Sequence, residues 1–345
     1  MASEIGHRTV LFRHAAVAAL LLVFCAPQAR ADDFYAGKQL TLLVGAGAGG
    51  GYDLQARVAA RHLGRHIPGN PSVLVQNIPS RITAANMTYS TAMKDGTTIA
   101  LLQRTILLAK LINPASARFE IGKFQWLGSF NSETAVTLAW HTAPHKRTQD
   151  LFDHELTVGG IAGADPETTA RVYNSLIGTK FKVRIGYSST EQVAHAVERG
   201  EVQGIADWSW SSLKAVRPQW LAEKKVTLLM QGAPKNAPEL GALPNALQFI
   251  KNAADRKVME LHFTQKTAAR PLAAPPGVPK ERVALLRRAF EALARDKEFL
   301  AEMHKARMEF DFVPAAQIEK VVAQIGATPS EIAERYAKAF APEQK

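Results

Sequence analysis

An apolar run that ends in a cluster of glycines constrains the fold of this chain more than any other segment. Residues 40–44 have the length and composition of a buried β-strand, and five glycines follow within the seven positions 45–51. Asp53 is then placed to cap the amphipathic segment 54–63, which is typical of a helix. Glycines let a backbone approach a ligand closely, and a helix N-terminus presents unpaired N–H groups. The segment therefore predicts a strand, a turn and a helix that together hold an anion.

The first 31 residues have the organisation of a secretory signal peptide. Two arginines precede the apolar run 15–24, and Ala29-Arg-Ala31 offers small residues for cleavage. The apolar run is too short to span a bilayer, and no later segment reaches the roughly 20 apolar residues that a span needs. We predict that residues 1–31 are removed, that Asp32 begins the mature chain, and that the protein works in the periplasm.

Cysteine usage and charge narrow the function classes. The single cysteine, Cys25, lies in the signal peptide, and Phe24 stands where a lipid anchor at Cys25 would need a small residue. The exported part has no cysteine nucleophile and no disulfide, which suits a chain large enough to bury its own core. A net charge of +11 favours acidic small molecules or a negatively charged surface, with solubility alone as an open alternative. No basic run interleaved with aromatics appears, so we predict no nucleic-acid partner.

Strand-like and helix-like segments alternate twice along the chain. The first unit has predicted strands at 40–44, 72–76 and 98–102, and the second has them at 156–160, 182–187 and 202–207. This order is typical of α/β proteins whose mainly parallel sheets bind ligands at the carboxyl ends of their strands. We predict two lobes with a cleft between them. Lobe 1 comprises 32–139 and, with C-terminal packing helices, 227–345; lobe 2 comprises 140–226, with hinges near Trp140 and Val226.

Nucleotide binding is disfavoured although 45–50 satisfies the G-x-G-x-x-G pattern. A dinucleotide site needs an acidic residue about 20 positions further on, and there is no Asp or Glu between Asp53 and Asp95. No Lys-Ser or Lys-Thr closes the glycine run, which excludes a Walker-type loop. We therefore predict no cofactor.

Metal binding and catalysis have little support in the sequence. His62 and His66 have the i, i+4 spacing of a metal pair, but arginines flank them and the H-E-x-x-H glutamate is missing, which favours a solvated helix face. Three serines follow Asp207, but no G-x-S-x-G elbow exists. We predict no metal and no enzymatic activity. An exported hydrolase or lyase is kept as the alternative.

Polar residues at other predicted strand ends extend the anion site. Gln103 and Arg104 follow the third strand, and Arg104 is suited to a bidentate pair with a carboxylate, although a surface or interlobe charge is an equal alternative. In the second lobe, 159–165 repeats the glycine-turn design. Tyr187, Asp207 and Trp208 also end strands there, and their aromatic rings could line a pocket.

Several separated motifs resemble the extracytoplasmic solute receptors of tripartite tricarboxylate transporters, the Bug family. The resemblance runs from Gln39 to about Lys338. No single motif is specific to the family, but the order of the motifs along the chain is specific. The motifs are Gly50-Gly-Tyr-Asp53 with Ala56-Arg57, Asn77-Ile-Pro79, Asp95-Gly96, Gly178-Thr-Lys-Phe-Lys182, Gly186-Tyr187, Glu198-Arg-Gly-Glu-Val202, Leu243-Pro244 and Ala274-Pro-Pro-Gly-Val-Pro279.

The resemblance implies a monomeric, two-lobed periplasmic binding protein of type II. Such a receptor closes on a small carboxylate, holds it largely through main-chain groups and waters, and passes it to membrane transporter subunits; service to a sensor is an open alternative. The implied loops are 46–53 in lobe 1 and 161–165 in lobe 2, with Gly163 and Ala164 as donors. This chain departs from the family pattern at Ser80 and Arg81, where a glycine turn is usual, and at Ala48, where proline is usual. The predicted ligand-binding residues are Ala46, Gly47, Ala48, Gly49, Gly50, Tyr52, Asp53, Ser80, Arg81, Gln103, Arg104, Ala162, Gly163, Ala164, Asp165, Tyr187, Asp207 and Trp208.

Overall fold

The computed structural model describes residues 34–340, so the predicted signal peptide lies outside the described residues. The strands are β1 (Gln39–Val44), β2 (Ser72–Asn77), β3 (Thr98–Leu101), β4 (Gln125–Ser129), β5 (Ala135–Trp140), β6 (Leu156–Gly160), β7 (Phe181–Ile185), β8 (Gly204–Ser209), β9 (Val226–Gly232), β10 (Pro271–Ala274) and β11 (Val313–Pro314). The α-helices are α1 (Gly51–Leu63), α2 (Arg81–Ser90), α3 (Ala109–Ile112), α4 (Asp150–Asp153), α5 (Asp165–Ile177), α6 (Thr190–Glu198), α7 (Trp210–Val216), α8 (Pro218–Ala222), α9 (Ala253–Thr264), α10 (Lys280–Leu293), α11 (Lys297–Lys305), α12 (Ala315–Gly326) and α13 (Ser330–Phe340).

These elements build two mixed sheets flanked by helices. The first sheet has the order β11-β4-β10-β3-β1-β2, with β1 parallel to β2 and β3, and with β10 and β11 antiparallel to their neighbours. The second has the order β7-β6-β8-β5-β9, in which only β5 runs against the others. The predicted two-lobed α/β class is confirmed.

Strand pairing divides the chain at points other than the predicted lobe boundaries. Trp140 pairs with Val226 inside the second sheet, so the predicted hinges near these residues lie within one lobe. The chain changes sheet between β4 and β5 and again between β9 and β10. The residues of β5 are nearly all apolar, and an apolar run carries no mark of the sheet it joins.

Apolar clusters cover both faces of each sheet. One cluster, with Leu42 and Val44, packs the first sheet against α1 and α10, and another, with Val136 and Trp208, packs the second sheet against α6. A third cluster runs continuously from the first sheet to the second. It includes α13, which packs against α5, so the C-terminal helices join the lobes. Within residues 34–340, no helix is both long enough and apolar enough to cross a membrane.

Side-chain caps fix where several helices begin. Ser80 accepts a hydrogen bond from the Thr83 amide at the start of α2, and Ser189 accepts one from the Gln192 amide at the start of α6. Such caps satisfy N–H groups that a helix cannot pair internally. By contrast, α1 and α5 begin without a side-chain cap, and both begin at the interface between the lobes.

Candidate functional site

A small cavity lies between the lobes where strands of both sheets end. It has a volume of about 50 Å³, whereas pockets for drug-sized ligands run to roughly 300–1,000 Å³. Ten of the predicted ligand-binding residues line it: Ala46, Gly47, Gly50, Tyr52, Gln103, Arg104, Ala164, Asp165, Asp207 and Trp208. The turns predicted to face each other are therefore brought together.

The other predicted site residues lie around the cavity without lining it. Tyr187 packs near Gly159. Arg81 is 9% exposed, and its guanidinium lies so close to Gly163 that a Cβ there would be 2.0 Å from it. Burial lowers the pKa of Arg81 to about 10. The residues outside the lining are Ala48, Gly49, Asp53, Ser80, Arg81, Ala162, Gly163 and Tyr187.

Eight further residues line the cavity and were not among the predicted ligand-binding residues, although Gly51 and Ile161 lie within the implied loops 46–53 and 161–165. They are Gly51, Ile161, Pro166, Ser188, Ser189, Thr190, Ser209 and Ser212. The sequence did contain a signal for Ser188, Ser189 and Thr190. Ser189 follows a predicted parallel strand and precedes a predicted helix, which is where ligand-binding loops of α/β proteins lie. Ser209 and Ser212 had been considered only as nucleophiles.

The first glycine turn is shaped by a carboxylate four residues further on. Gly49 has φ +83°, and its N–H donates to Asp53 Oδ2 at 3.0 Å. Arg57 Nε lies 3.0 Å from the same carboxylate. Burial opposes ionisation of Asp53, but the bonds from Arg57 and Gly49 hold its pKa below the usual value. Asp53 therefore closes the turn from the third helical position, and the N-cap is Gly50 rather than the predicted Asp53.

The second glycine turn repeats this arrangement in the other lobe. Gly163 has φ +67° and donates to Glu167 Oε2 at 2.6 Å, while Arg171 Nε lies 3.0 Å from Glu167 Oε1. The spacing of glycine, acid and arginine is the same in both lobes. The Ala164 N–H donates to the Ile161 carbonyl at 2.9 Å. Both amides that were predicted to face a ligand, those of Gly163 and Ala164, are therefore occupied within the turn.

The glycines of the first turn allow the lobes to approach each other. A Cβ placed on Gly47 would lie 2.7 Å from the Ser188 carbonyl oxygen. A Cβ on Gly51 would lie 2.1 Å from Ser212 Oγ. Both contacts cross from the first lobe to the second. Because glycine has no side chain, the two lobes can come into close contact at these two positions.

Arg104 occupies the centre of the cleft as an interlobe cation. It is 1% exposed, and its NH2 lies 3.1 Å from Asp165 Oδ2 and 3.4 Å from Asp207 Oδ1. Burial alone would lower the pKa of Arg104, but Asp165 and other anionic neighbours raise it above the ordinary value. Of the alternatives considered from the sequence, the structure places Arg104 as an interlobe charge that also lines the cavity.

The two aspartates beside Arg104 have opposite environments. Burial raises the pKa of Asp165 by more than Arg104 lowers it. For Asp207, burial is outweighed by Lys266 and Arg104, which hold its pKa below the usual value. Lys266 Nζ lies 2.7 Å from Asp207 Oδ2 and is itself 1% exposed. Asp207 is consequently a fixed anion, whereas Asp165 is the less satisfied one.

A second buried pair ties the first sheet to the second lobe. Arg270 donates to Gln55 Oε1 at 2.6 Å and to Ser212 Oγ at 2.6 Å, and its NH2 lies 3.8 Å from Glu133 Oε2. Tyr52 donates from its hydroxyl to the Ala269 carbonyl at 2.6 Å, which fixes its ring beside this cluster. Hydrogen bonds therefore connect the two lobes on the Tyr52 side of the cleft.

The two histidines of α1 pair with carboxylates of the first lobe. His62 Nε2 lies 2.6 Å from Glu302 Oε2, and His66 Nε2 lies 2.7 Å from Asp296 Oδ2. His62 is buried, so the predicted solvated helix face is wrong for this residue. His62, Asp296 and Glu298 could bring three ligand atoms together, but Arg65 ion-pairs with both carboxylates. This face joins α1 to the 296–302 region through ion pairs.

Comparison with solved structures shows the same architecture in periplasmic binding proteins. BugD has 19% identity and a TM-score of 0.67, and the match covers 88% of this chain and 98% of BugD. R. palustris Rpa4515, solved with adipate, has 19% identity and a TM-score of 0.68 over 88% of this chain and 97% of that one. MatC from Rhodopseudomonas palustris with bound malate has 15% identity and a TM-score of 0.64, and the match covers 88% of this chain and 99% of MatC.

These similarities establish the fold of the chain. No family model matches the sequence, and no protein with a curated description matches it. The chain has the two-lobed fold of the periplasmic binding proteins. In particular, it shares the architecture of BugD and of a TctC solute-binding protein, as the motif resemblance predicted.

Proposed function

We propose that this protein is an extracytoplasmic solute receptor of the Bug type, which binds a small carboxylate between its lobes and delivers it to membrane transporter subunits. One observation carries the proposal: the uncapped N-terminus of α1 and the Arg104 guanidinium meet at an interlobe cavity, opposite the second glycine turn. Helix N-termini and a buried guanidinium both favour a bound anion. The protein would work as a periplasmic monomer after removal of residues 1–31.

The neighbouring structures support the carboxylate class of ligand. Rpa4515 is described with adipate and MatC with malate, and both share the fold over nearly their full length. The direct contacts between the lobes at Gly47 and Gly51 support a closing motion, because each contact exists only when the lobes are together. A ligand that bridges both lobes would shift the open–closed equilibrium toward this closed form.

A thermal-unfolding screen tests binding directly. The purified chain 32–345 is dialysed exhaustively and then heated with each member of a carboxylate library, with the corresponding amides as uncharged controls. A ligand at 100 times its Kd stabilises the folded state by about 2.7 kcal/mol, which a melting curve resolves. We expect at least one carboxylate, and not its amide, to raise Tm. If no carboxylate does so, or if the bound acid is converted to product, the receptor proposal fails.

A transport experiment tests the partner. Uptake of the labelled acid identified by the screen is measured in cells that lack this protein and in cells complemented with it. We expect uptake to depend on the protein and on residues 1–31, and the exported form to begin at Asp32 by mass spectrometry. Normal uptake without the protein would contradict the role in transport and favour service to a sensor.

A further inference from the structure

We propose that a basic groove between the lobes is the docking surface for an acidic segment of a membrane transporter subunit. The inference rests on the proposed function and names the surface and the chemistry through which the receptor meets its partner. Three observations carry it: the groove has a wall from each lobe, two of its cations have no partner in the protein, and one of them stands at a backbone position that favours glycine.

The groove has one wall from each lobe and is separate from the interlobe cavity. It has a volume of about 680 Å³ and shares no lining residue with that cavity. Lys214, Pro218 and Leu221 of α7 and α8 line it from the second lobe, and five residues within 304–309, at the end of α11 and after it, line it from the first. The Lys214 ammonium forms an ion pair with Glu309 of the opposite wall. A partner bound there contacts both lobes, so its affinity depends on how the lobes are oriented.

Two cations of the first-lobe wall have no acidic partner. Lys305 and Arg307 are exposed, and neither forms an ion pair with any residue in the described range 34–340. The acids nearest to them in sequence, Glu302 and Glu309, pair with other cations instead. The charge that remains free in the groove is therefore positive, which is complementary to a carboxylate on a partner.

Apolar side chains accompany these cations. Pro218, Leu221 and Met308 also line the groove. Leu300 is 36% exposed and lies four positions before the lining residue His304, on the same face of α11. A protein segment that carries an apolar side chain beside its carboxylates matches this surface. An anionic lipid surface matches it less well, because such surfaces are typically bound by clusters of roughly 4–8 lysines and arginines.

Arg307 stands at a backbone position that favours glycine. It follows the C-cap of α11 and has φ +55°. Its N–H donates to the His304 carbonyl at 2.9 Å, and the Met308 N–H donates to the Met303 carbonyl at 2.9 Å. These two bonds are those of a Schellman motif, in which the left-handed residue is usually glycine. Arginine at this position costs stability that glycine would not, and backbone strain of this kind clusters at functional sites.

A membrane-binding assay with matched variants tests the proposal. The chain 32–345 has no cysteine, so a labelled parent protein is made by attaching one fluorophore to Lys320→Cys, an exposed position of α12. The probes are spheroplasts of cells that lack this protein, whose periplasmic membrane face is exposed, and protein-free phosphatidylglycerol vesicles. The groove variants are Arg307→Gly and Lys305→Gln. The control is Lys224→Gly, which removes a cation from another left-handed position, φ +52°, that does not line the groove.

We expect the labelled parent to bind spheroplasts and not the lipid vesicles. Each groove variant should bind spheroplasts about tenfold more weakly, because each loses a hydrogen bond between charged groups, and Lys224→Gly should bind as the parent does. Arg307→Gly should unfold at the same Tm as the parent or at a higher one, so its weaker binding cannot come from a loss of folding. Undiminished binding by either groove variant, an equal loss in the control, or binding of the parent to the vesicles would overturn the proposal.

Photochemical cross-linking identifies what occupies the groove. A benzophenone attached to Leu221→Cys is irradiated on the same spheroplasts, and the joined peptide is sequenced by mass spectrometry. A segment of an integral membrane protein with Asp or Glu beside an apolar residue supports the proposal. A segment without acidic residues, a lipid adduct, or no adduct overturns it.

The carboxylate screen separates failure of the docking surface from failure of the receptor function. It is repeated with the parent and with Arg307→Gly, whose groove lies outside the interlobe cavity. If the same carboxylate stabilises both proteins but the parent does not bind spheroplasts, the docking surface is overturned and the receptor function stands. If no carboxylate stabilises the parent, the receptor function is overturned.

Discussion

The Arg104 guanidinium and the Asp165 carboxylate meet 3.1 Å apart across the interface between the two lobes. Arg104 follows a strand of the first sheet, and Asp165 begins a helix that follows a strand of the second. Both side chains are buried, so the pair is part of the closed interface rather than a surface contact. Its presence means that closing the lobes buries charge, which is tolerated because each charge has a partner.

Removal of Arg104 should destabilise the closed protein. In Arg104→Met, Asp165 loses its ion-pair partner and Asp207 retains only Lys266, and breaking a buried pair in this way costs about 3–5 kcal/mol. Urea unfolding measures the loss. The control is Arg199→Met, which breaks an exposed pair with Glu201 and should change the unfolding free energy little. Equal stability of both variants would show that the buried pair contributes nothing.

A methyl group at Gly47 should keep the lobes apart. In Gly47→Ala the new Cβ meets the Ser188 carbonyl, a backbone atom that cannot rotate away. Overpacking of this kind costs roughly 1–3 kcal/mol, so affinity for the ligand should fall about tenfold or more. Small-angle scattering should show a larger radius of gyration with ligand than for the wild type. Gly122→Ala is the matched control, because nothing lies within 4 Å of its Cβ position. Full closure of Gly47→Ala would refute the assignment.

The paired turn carboxylates should have equal and modest effects. Asp53→Ala frees the Gly49 amide and Glu167→Ala frees the Gly163 amide. Each variant should lose about 1–2 kcal/mol of unfolding free energy, because each leaves a turn donor unpaired. The control Glu155→Ala removes an exposed carboxylate that pairs with Lys182, and its stability should change little. Amide hydrogen exchange at Gly49 and Gly163 should accelerate only in the matching variant.

Stability should fall with acidity because of His262. This buried ring accepts from the Tyr336 hydroxyl at Nδ1 and donates from Nε2 to Thr169, which in turn donates to Asp207. Burial, with Lys266 nearby, lowers the pKa of His262 to about 3. Between about pH 6.5 and 3 the unfolded chain therefore binds a proton that the folded protein does not, and the unfolding free energy decreases as the pH falls.

The size of the His262 effect can be measured by comparison with a variant. From pH 7 to pH 5 this group should account for a loss of about 2 kcal/mol. That part of the loss should be missing in His262→Gln and retained in His141→Gln, which changes an exposed histidine. An identical pH profile for the wild type and His262→Gln would show that the ring is not buried in its neutral form.

The order of strands and helices along the chain could be predicted from the sequence. Which elements pair or pack with one another could not. The apolar run at 40–44 and the glycines after it predicted β1 and the turn, and the observed strand, Gln39–Val44, differs by one residue. Asp53 was correctly placed at the start of a helix, but its role changed from cap to acceptor for Gly49. An acidic residue three or four positions after a glycine turn is compatible with both roles, a helix cap and an acceptor for a turn amide. Only the backbone geometry shows which role the residue has.

The sequence by itself determined that two glycine turns follow parallel strands and that Gln103 and Arg104 end a third, because periodicity and turn residues are local properties. Only the tertiary structure decided that Gly47 faces Ser188, that Arg104 faces Asp165 and that Arg81 lies against Gly163. Each of these pairs joins residues more than 50 positions apart, and their meeting depends on how one lobe is oriented on the other. The glycine run that most constrained the fold thus serves the closing of the lobes as well as the site between them, since its missing side chains admit the opposite lobe.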